Sequence, residues 1–393
     1  MGTNRKSNAK SGWNKLLSLL PDGWDEQAFE KKAMSYNRKY NPESLLRSIL
    51  IYLSCKSSLM EETFLTMLLD QVEASSAAFH NRFRKSGDWL LWLAEQTMQR
   101  KLAQVKNPYS LRGHRLRLID ATIITQPGTK VGQDTWRLHF SLLYPCNHCS
   151  EFHLTTSRSG ESFGNFEIIE NDLVIGDRIY SRAKGIAHVV DHGGDVLVRV
   201  MPSQFPIFDE NGERINLLAR LKSLRRNKIR SFEVRLKFGK RRIPGRICAL
   251  KLSRLASAKA KKRALKSSIK GMRKIRPETL QAAEYLIVFT TLPEWELSGK
   301  EAVALYRFRW QIETNFKRAK SLFGLGDLPC HEEDSIKAWI YGKLLIHFLT
   351  MLQIPDTGDF PPSGPKRAVR NKSFALAGSE GLGADDGRKH AAG

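Results

Sequence analysis

Between residues 114 and 201 the chain passes through five short β-prone runs, and a helix-like stretch interrupts only the last two. "HRLRLIDATII", "TWRLHFSLLY" and "EFHLTTS" follow one another as a meander, which antiparallel hairpins satisfy. "DLVIGD" and "DVLVRVM" flank "SRAKGIAHVVDHGG", a helical segment closed by glycines. Strand, helix, strand is the connection that a mixed sheet uses. The pattern therefore predicts an α/β (α+β) fold, a mixed sheet flanked by helices.

The rest of the chain is arranged around that block. With 393 residues the protein exceeds what one compact core usually holds. Residues 1–105 predict helices: Asn41 caps a segment that opens on Pro42, Ser75 or Ser76 caps the next, and Asp88 caps a third. His80, Arg82, Arg84 and Lys85 make one of these helices basic. Such helices suit a helix-turn-helix DNA reader, or a helical bundle with a basic face. Residues 106–201 and 277–354 supply a sheet-and-helix core in which "EYLIVFTTL" is a buried strand. Between them, 202–276 predicts a β-rich insertion: a turn at Asn211–Gly212, two antiparallel strands around "GKRRIPG", then a basic helix. Residues 355–393 are rich in Pro, Gly, Ala, Ser and charge, a composition expected to be disordered.

The formal net charge of +24 repels itself in the folded state, and a polyanion relieves that cost. Nucleic acid is the first candidate partner and an anionic membrane surface the second. From Arg220 to Arg276 there are 23 Lys and Arg against one acid, Glu233. Solvated faces mix signs, so this run, with Arg241 and Arg242 at its hairpin, predicts phosphate contacts. The N-terminus shows no secretory signal, and runs such as "LLIHFLTMLQI" are too short to cross a bilayer. Five cysteines fit a reducing compartment, so a cytoplasmic protein is expected. Cys146 and Cys149 form a CxxC without a second ligand pair, which favours a polar hairpin turn over zinc.

The chemistry concentrates in three acids. Asp120 ends "LRLID" and Asp177 ends "LVIGD", each at the tip of an apolar strand, where open sheets build sites. Glu313 lies in "YRFRWQIETNFKRAK", within a long helix expected to begin after Ser298–Gly299. At 100° per residue, Phe308, Ile312, Phe316, Ala319 and Phe323 form a core stripe. Tyr306, Arg309, Glu313, Lys317 and Lys320 form the stripe beside it, at the edge of the core. Three converging carboxylates repel unless a hard divalent cation joins them, and Mg²⁺ prefers oxygen ligands. An Arg309–Glu313–Lys317 ion-pair ladder is the alternative use of the same spacing.

Tyr306, Arg309, Glu313 and Lys320, at their spacing, resemble the YREK signature of DDE transposases of the insertion-sequence-four family. The order Asp120, Asp177, β-rich insertion, Glu313 and the run "GDRIY" are similar as well, over roughly residues 40–352. The resemblance implies an RNase H-like catalytic core split by the insertion. In it Asp120, Asp177 and Glu313 bind two Mg²⁺ ions, with Mn²⁺ an acceptable substitute. It implies cleavage at a transposon end followed by strand transfer to target DNA, by a dimer that synapses two terminal inverted repeats. Tyr306, Arg309 and Lys320 would hold phosphates, with Lys317, Arg178 and Tyr180 alongside, and Trp295 would stack on an unpaired base. A bacterial, nucleoid-associated location follows from such a role. Ile179 departs from the small residue usual there. Beyond "LLIHFLTML" the family continues with helix for dimer contacts, whereas this chain meets Pro355, so an impaired copy is expected. A DNA-binding transposition inhibitor and an RNase H-like nuclease are the competing functions.

Overall fold

A computed structural model describes residues 12–354 apart from 38, 56–57, 71, 106–110, 129–134, 273, 323 and 327. The expected disordered tail lies outside the described residues, as does Phe323. The N-terminal helices are α1 (12–17), α2 (Trp24–Glu30), α3 (Pro42–Cys55), α4 (Leu59–Asp70), α5 (Ser76–Lys85) and α6 (Gly87–Ala103). Asn41 caps α3, its Oδ1 accepting from the Ser44 N–H at 2.8 Å. Of the two serines before α5, Ser75 is the cap, accepting from the Ala78 N–H. Asp88 is not a cap. Ser86 takes that position and Asp88 lies in the first turn of α6, where its charge faces the positive end of the helix dipole.

Nine strands form one sheet: β1 (Arg115–Thr125), β2 (Thr135–Leu143), β3 (His148–Thr156), β4 (Asp172–Gly176), β5 (Asp195–Arg199), β6 (Ile207–Phe208), β7 (Ile229–Phe238), β8 (Arg241–Lys251) and β9 (Tyr285–Thr290). Their order is β3-β2-β1-β4-β5-β9-β8-β7-β6. β4 runs parallel to β1 and to β5, and the remaining pairs are antiparallel. The meander is β1–β2–β3, and α7 (Ala183–Asp191) is the crossover between β4 and β5. The turn holding Cys146 joins β2 to β3. The strands of 202–276 extend the sheet, because β8 pairs with β9 along Arg246–Lys251; the short α8 (Leu217–Leu221) lies between β6 and β7, and α10 (Pro277–Ala282) precedes β9. The β7–β8 turn is shorter than "GKRRIPG". Gly239, at φ 58°, and Lys240 close it, and Arg241 and Arg242 already belong to β8.

Period-two alternation sends side chains to two cores. Leu118, Ile175, Leu197, Val288 and Cys248 face one, and Ile119, Val174, Val198, Phe289 and Ile247 face the other. The first core is shared with the N-terminal helices and with α13 (Glu333–Gln353): Tyr52 of α3 meets Phe79 and Phe83 of α5 and Trp339 of α13 edge-on, with centroids 5.4 to 5.7 Å apart. So α5 packs as a member of a bundle, with Lys85 on its exposed side.

The long helix expected after Ser298–Gly299 is broken. α11 (Gly299–Tyr306) starts with a capping box between Ser298 and Glu301. Arg307–Arg309 then form a 3₁₀ turn, and α12 (Trp310–Leu322) follows. Ile312 and Phe316 are buried as expected, each stabilising by about 1.5–3 kcal/mol. Phe308, expected in the same stripe, is exposed at 37 % and leans on Tyr144 with centroids 5.1 Å apart. The tighter winding of the 3₁₀ turn swings it off the core face.

Candidate active site

The register of the sheet builds the site. Leu118 pairs with Ile175, Gly176 with Val198, and Arg199 with Val288. Continued two residues past Leu118–Ile175 and one past Gly176–Val198, this register sets Asp120, Asp177 and Arg199 on one rung, on the face covered by α12. Adjacent strands are about 4.8 Å apart, so the two aspartates are neighbours. Gly176 allows this tip to pack: a Cβ there would meet the Phe163 ring at 2.8 Å and Tyr180 Cβ at 2.9 Å. Asp177 then closes a short turn, its Oδ1 accepting from the Ile179 N–H at 2.7 Å.

Charge is crowded here. Burial pushes the Asp120 carboxyl up to about 7. Arg309 and the Ala121 N–H pull the other way, while the charges of Asp177 and Glu161 add to the rise. Glu161 is itself raised, by burial and then by Asp177, against the opposing pull of Arg137. Arg309 is the hub: Nη1 lies 3.2 Å from Asp120 Oδ2, and Nη2 pairs with Glu313 Oε1. Burial disfavours its charge, but Tyr306, Glu313 and Asp120 outweigh that and hold its pKa above the usual value.

Glu313 therefore reaches the aspartates through an arginine. Among the described residues no three acids, histidines or cysteines already surround one point. The all-oxygen donor set of Asp120, Asp177 and Glu313 nevertheless fits a hard divalent cation. Asp120 is the strongest argument, because a buried carboxyl held near neutrality is what an added positive charge would ionise. Both expected uses of the helix spacing meet in one place: Arg309–Glu313 is an ion pair, but one that also holds the first aspartate.

The remaining predicted residues divide. Tyr306 is buried and bonded to Arg309. Lys320 reaches back to β1, Nζ donating to the Ile123 carbonyl at 2.7 Å. Lys317 and Arg178 are exposed, and Trp295 is exposed at 76 %, an open aromatic face. Tyr180 does not stand on the surface. It is 1 % exposed and packs on Phe163, centroids 5.0 Å apart, so it forms the wall of the site and reaches no external phosphate. Arg241 and Arg242 are displaced most. They open β8 at the end of the sheet opposite Asp177, where Arg241 pairs with Asp191 at 2.7 Å and Arg242 covers the Phe208 ring. The antiparallel run of β8 carries them away from the aspartates.

Sequence reasoning missed Arg199 and Glu161. Arg199 has its charge disfavoured by burial and lies in the field of Tyr306, Arg178, Arg309 and Asp177. The "DVLVRVM" run held a signal, a lone arginine at the tip of an apolar strand. Glu161 is held by Arg137, 3.5 Å away, from a loop that has no motif.

The Transposase DDE domain family model matches residues 111–349, the stretch that supplies β1 through α13 and all three acids. The chain belongs to the DDE transposases. InsL of insertion sequence element IS186A in Escherichia coli K12 is 33 % identical over 370 residues, covering 91 % of this chain and 98 % of that protein. The transposase of IS421, also from Escherichia coli, is 33 % identical over 371 residues with the same coverage. The transposase of IS231F from Bacillus thuringiensis is 24 % identical over 371 residues, 84 % of this chain and 77 % of its own. The mixed sheet flanked by helices fits the RNase H-like architecture of a DDE transposase. The family cuts DNA and transfers strands, and its DDE domain generally implies divalent metal. No described helix is long and apolar enough to cross a membrane.

Proposed function

We propose that this transposase binds the terminal inverted repeats of an insertion sequence, hydrolyses a strand at each end and joins the freed 3′-OH to target DNA. What supports this is the β1–β4 register, which continued two residues sets Asp120 beside Asp177, together with Arg309, which ties Glu313 to Asp120. Asp120, Asp177 and Glu313 would hold two Mg²⁺ ions, or Mn²⁺, which would supply Lewis-acid activation of the attacking oxygen and charge stabilisation of the leaving one. Arg309 leaves Glu313 for a DNA phosphate, which its planar fork suits better than a single carboxylate oxygen. Arg199, Lys320, Lys317 and Arg178 add positive charge where the phosphodiester lies. Buried Tyr306 fixes Arg309, and Trp295 stacks on a base freed from the duplex. Residues 1–105 serve to read the end, and a dimer holds two ends in one synaptic complex.

Changing Glu313 to Gln tests the reading. Mg²⁺-dependent nicking of a labelled end duplex should fall on the order of a thousandfold, about 4 kcal/mol, with gel-shift binding retained. Wild-type protein that binds ends without nicking them would mark an inhibitor instead. Structure-selective cutting without strand transfer would mark a nuclease.

A further inference from the structure

A strongly basic surface lies on the edge of the sheet at which Asp177 stands. β8 ends at Lys251, paired with Tyr285, where β9 begins. β9 runs antiparallel to β5, so this is the edge at which β4 and β5 end and Asp177 stands. From Asp177 to Lys251 there are three strand spacings of about 4.8 Å and about three residues of rise, some 17 Å in all. The helix α9 (Arg254–Lys270) springs from this point, capped by Ser253.

Its two faces differ in kind. Ser257, Ala260, Ala264 and Ser268 are at least partly buried and turn toward the protein. Lys261 on the same side is tied to Glu284 at 2.6 Å. The opposite face carries Lys259, Lys262, Arg263 and Lys266, exposed and at i, i+3, i+4, i+7. None of these four pairs with an acid among the described residues, and α9 contains no acid. Like charges four apart on a helix destabilise it, and here two such pairs stand unrelieved. Three exposed apolar residues share this outer side: Leu255 and Ile269 at the two ends of the stripe and Leu265 beside it. Arg225 and Lys228 extend it, since their turn is bonded to the end of β8, the Asn227 N–H donating to the Lys251 carbonyl at 2.8 Å. Glu284, an acid beside this turn, is taken up by Lys261 and Arg226.

We propose that the outer face of α9, with Arg225 and Lys228, grips the backbone of the DNA duplex roughly half a helical turn from the cleaved phosphate, without reading its sequence. The proposal rests on the transposase reading for which duplex is held. The grip itself is read independently.

The test compares wild type with the K259Q/K262Q/R263Q/K266Q variant, glutamine being a good helix former. Fluorescence anisotropy on a labelled random-sequence duplex is followed across salt concentrations. Four lost phosphate contacts should flatten the slope of log K against log salt by about 3 to 4. Should that variant fold poorly by circular dichroism, K259Q/K266Q should flatten it by about half as much. A slope equal to wild type in a folded variant overturns the proposal. So does loss of binding to phosphatidylserine vesicles with DNA binding unchanged, which would make the face a membrane contact. A wild-type protein that shows the steep slope yet never nicks end DNA keeps the grip and removes the transposase reading.

Discussion

The two ends of the β1–β4 pairing carry acids under opposite regimes. At the entry end Asp172 is fully buried and answered on both oxygens: Arg115 donates through Nε at 2.5 Å and Nη2 at 2.9 Å, Arg117 Nη1 at 2.9 Å, and the Ile169 N–H at 3.2 Å. Arg117 is in turn held by Glu151 and Ser141. At the exit end Asp120 shares a single guanidinium with Glu313, and its carboxyl is pushed up to about 7 by burial. Both sites bury charge in the same sheet. The first closes its hydrogen bonds internally, whereas the second leaves Asp120 with the Ala121 N–H and one shared guanidinium.

The largest break in that comparison is Asp172→Asn. It leaves the buried Arg117 and the partly buried Arg115 short of a partner and should cost about 3–5 kcal/mol in urea unfolding. Loss below about 1 kcal/mol would make the entry end as slack as the exit end.

A smaller effect, of opposite sense, is expected at Asp120 in metal-free protein. The folded state keeps its proton to about pH 7, while an unfolded Asp loses it near 3.9. The resulting stability is complete below about pH 4 and is lost as pH rises through 7. Asp120→Asn should remove this slope, which is worth roughly 4 kcal/mol at most. Urea midpoints from pH 4 to 8 that run parallel in both proteins would contradict the assignment.

The smallest effect sharpens the contrast between the edges of the sheet. Arg241→Gln with Arg242→Gln should leave both the salt slope of DNA binding and the melting temperature nearly unchanged, within about 0.5 kcal/mol. A slope flattened as much as by the α9 variant would put DNA at the wrong end of the sheet.

Where the sequence was readable, periodicity carried it. The apolar runs that lead to Asp120 and Asp177 both became strands, but only Asp177 stands at a strand tip: β4 ends at Gly176, whereas β1 continues five residues past Asp120 to Thr125. The spacing from Tyr306 to Lys320 did bring Arg309 and Glu313 together. What stayed hidden depends on neighbours that no local pattern names. Arg199 reaches the site because β5 happens to lie beside β4, and Arg241 misses it because β8 runs antiparallel to β9. Glu161 sits in a loop placed by Arg137. Phe308 shows the limit of a helical wheel, which assumes one pitch throughout.

That change of pitch has a practical side. Each residue in a 3₁₀ turn advances about 120° instead of 100°, so Arg307–Arg309 add roughly a sixth of a revolution to everything downstream. A spin label or cysteine crosslink placed on α12 by counting turns from Ser298 would therefore point away from its intended mate. Numbering such probes from Trp310 aligns them with β1.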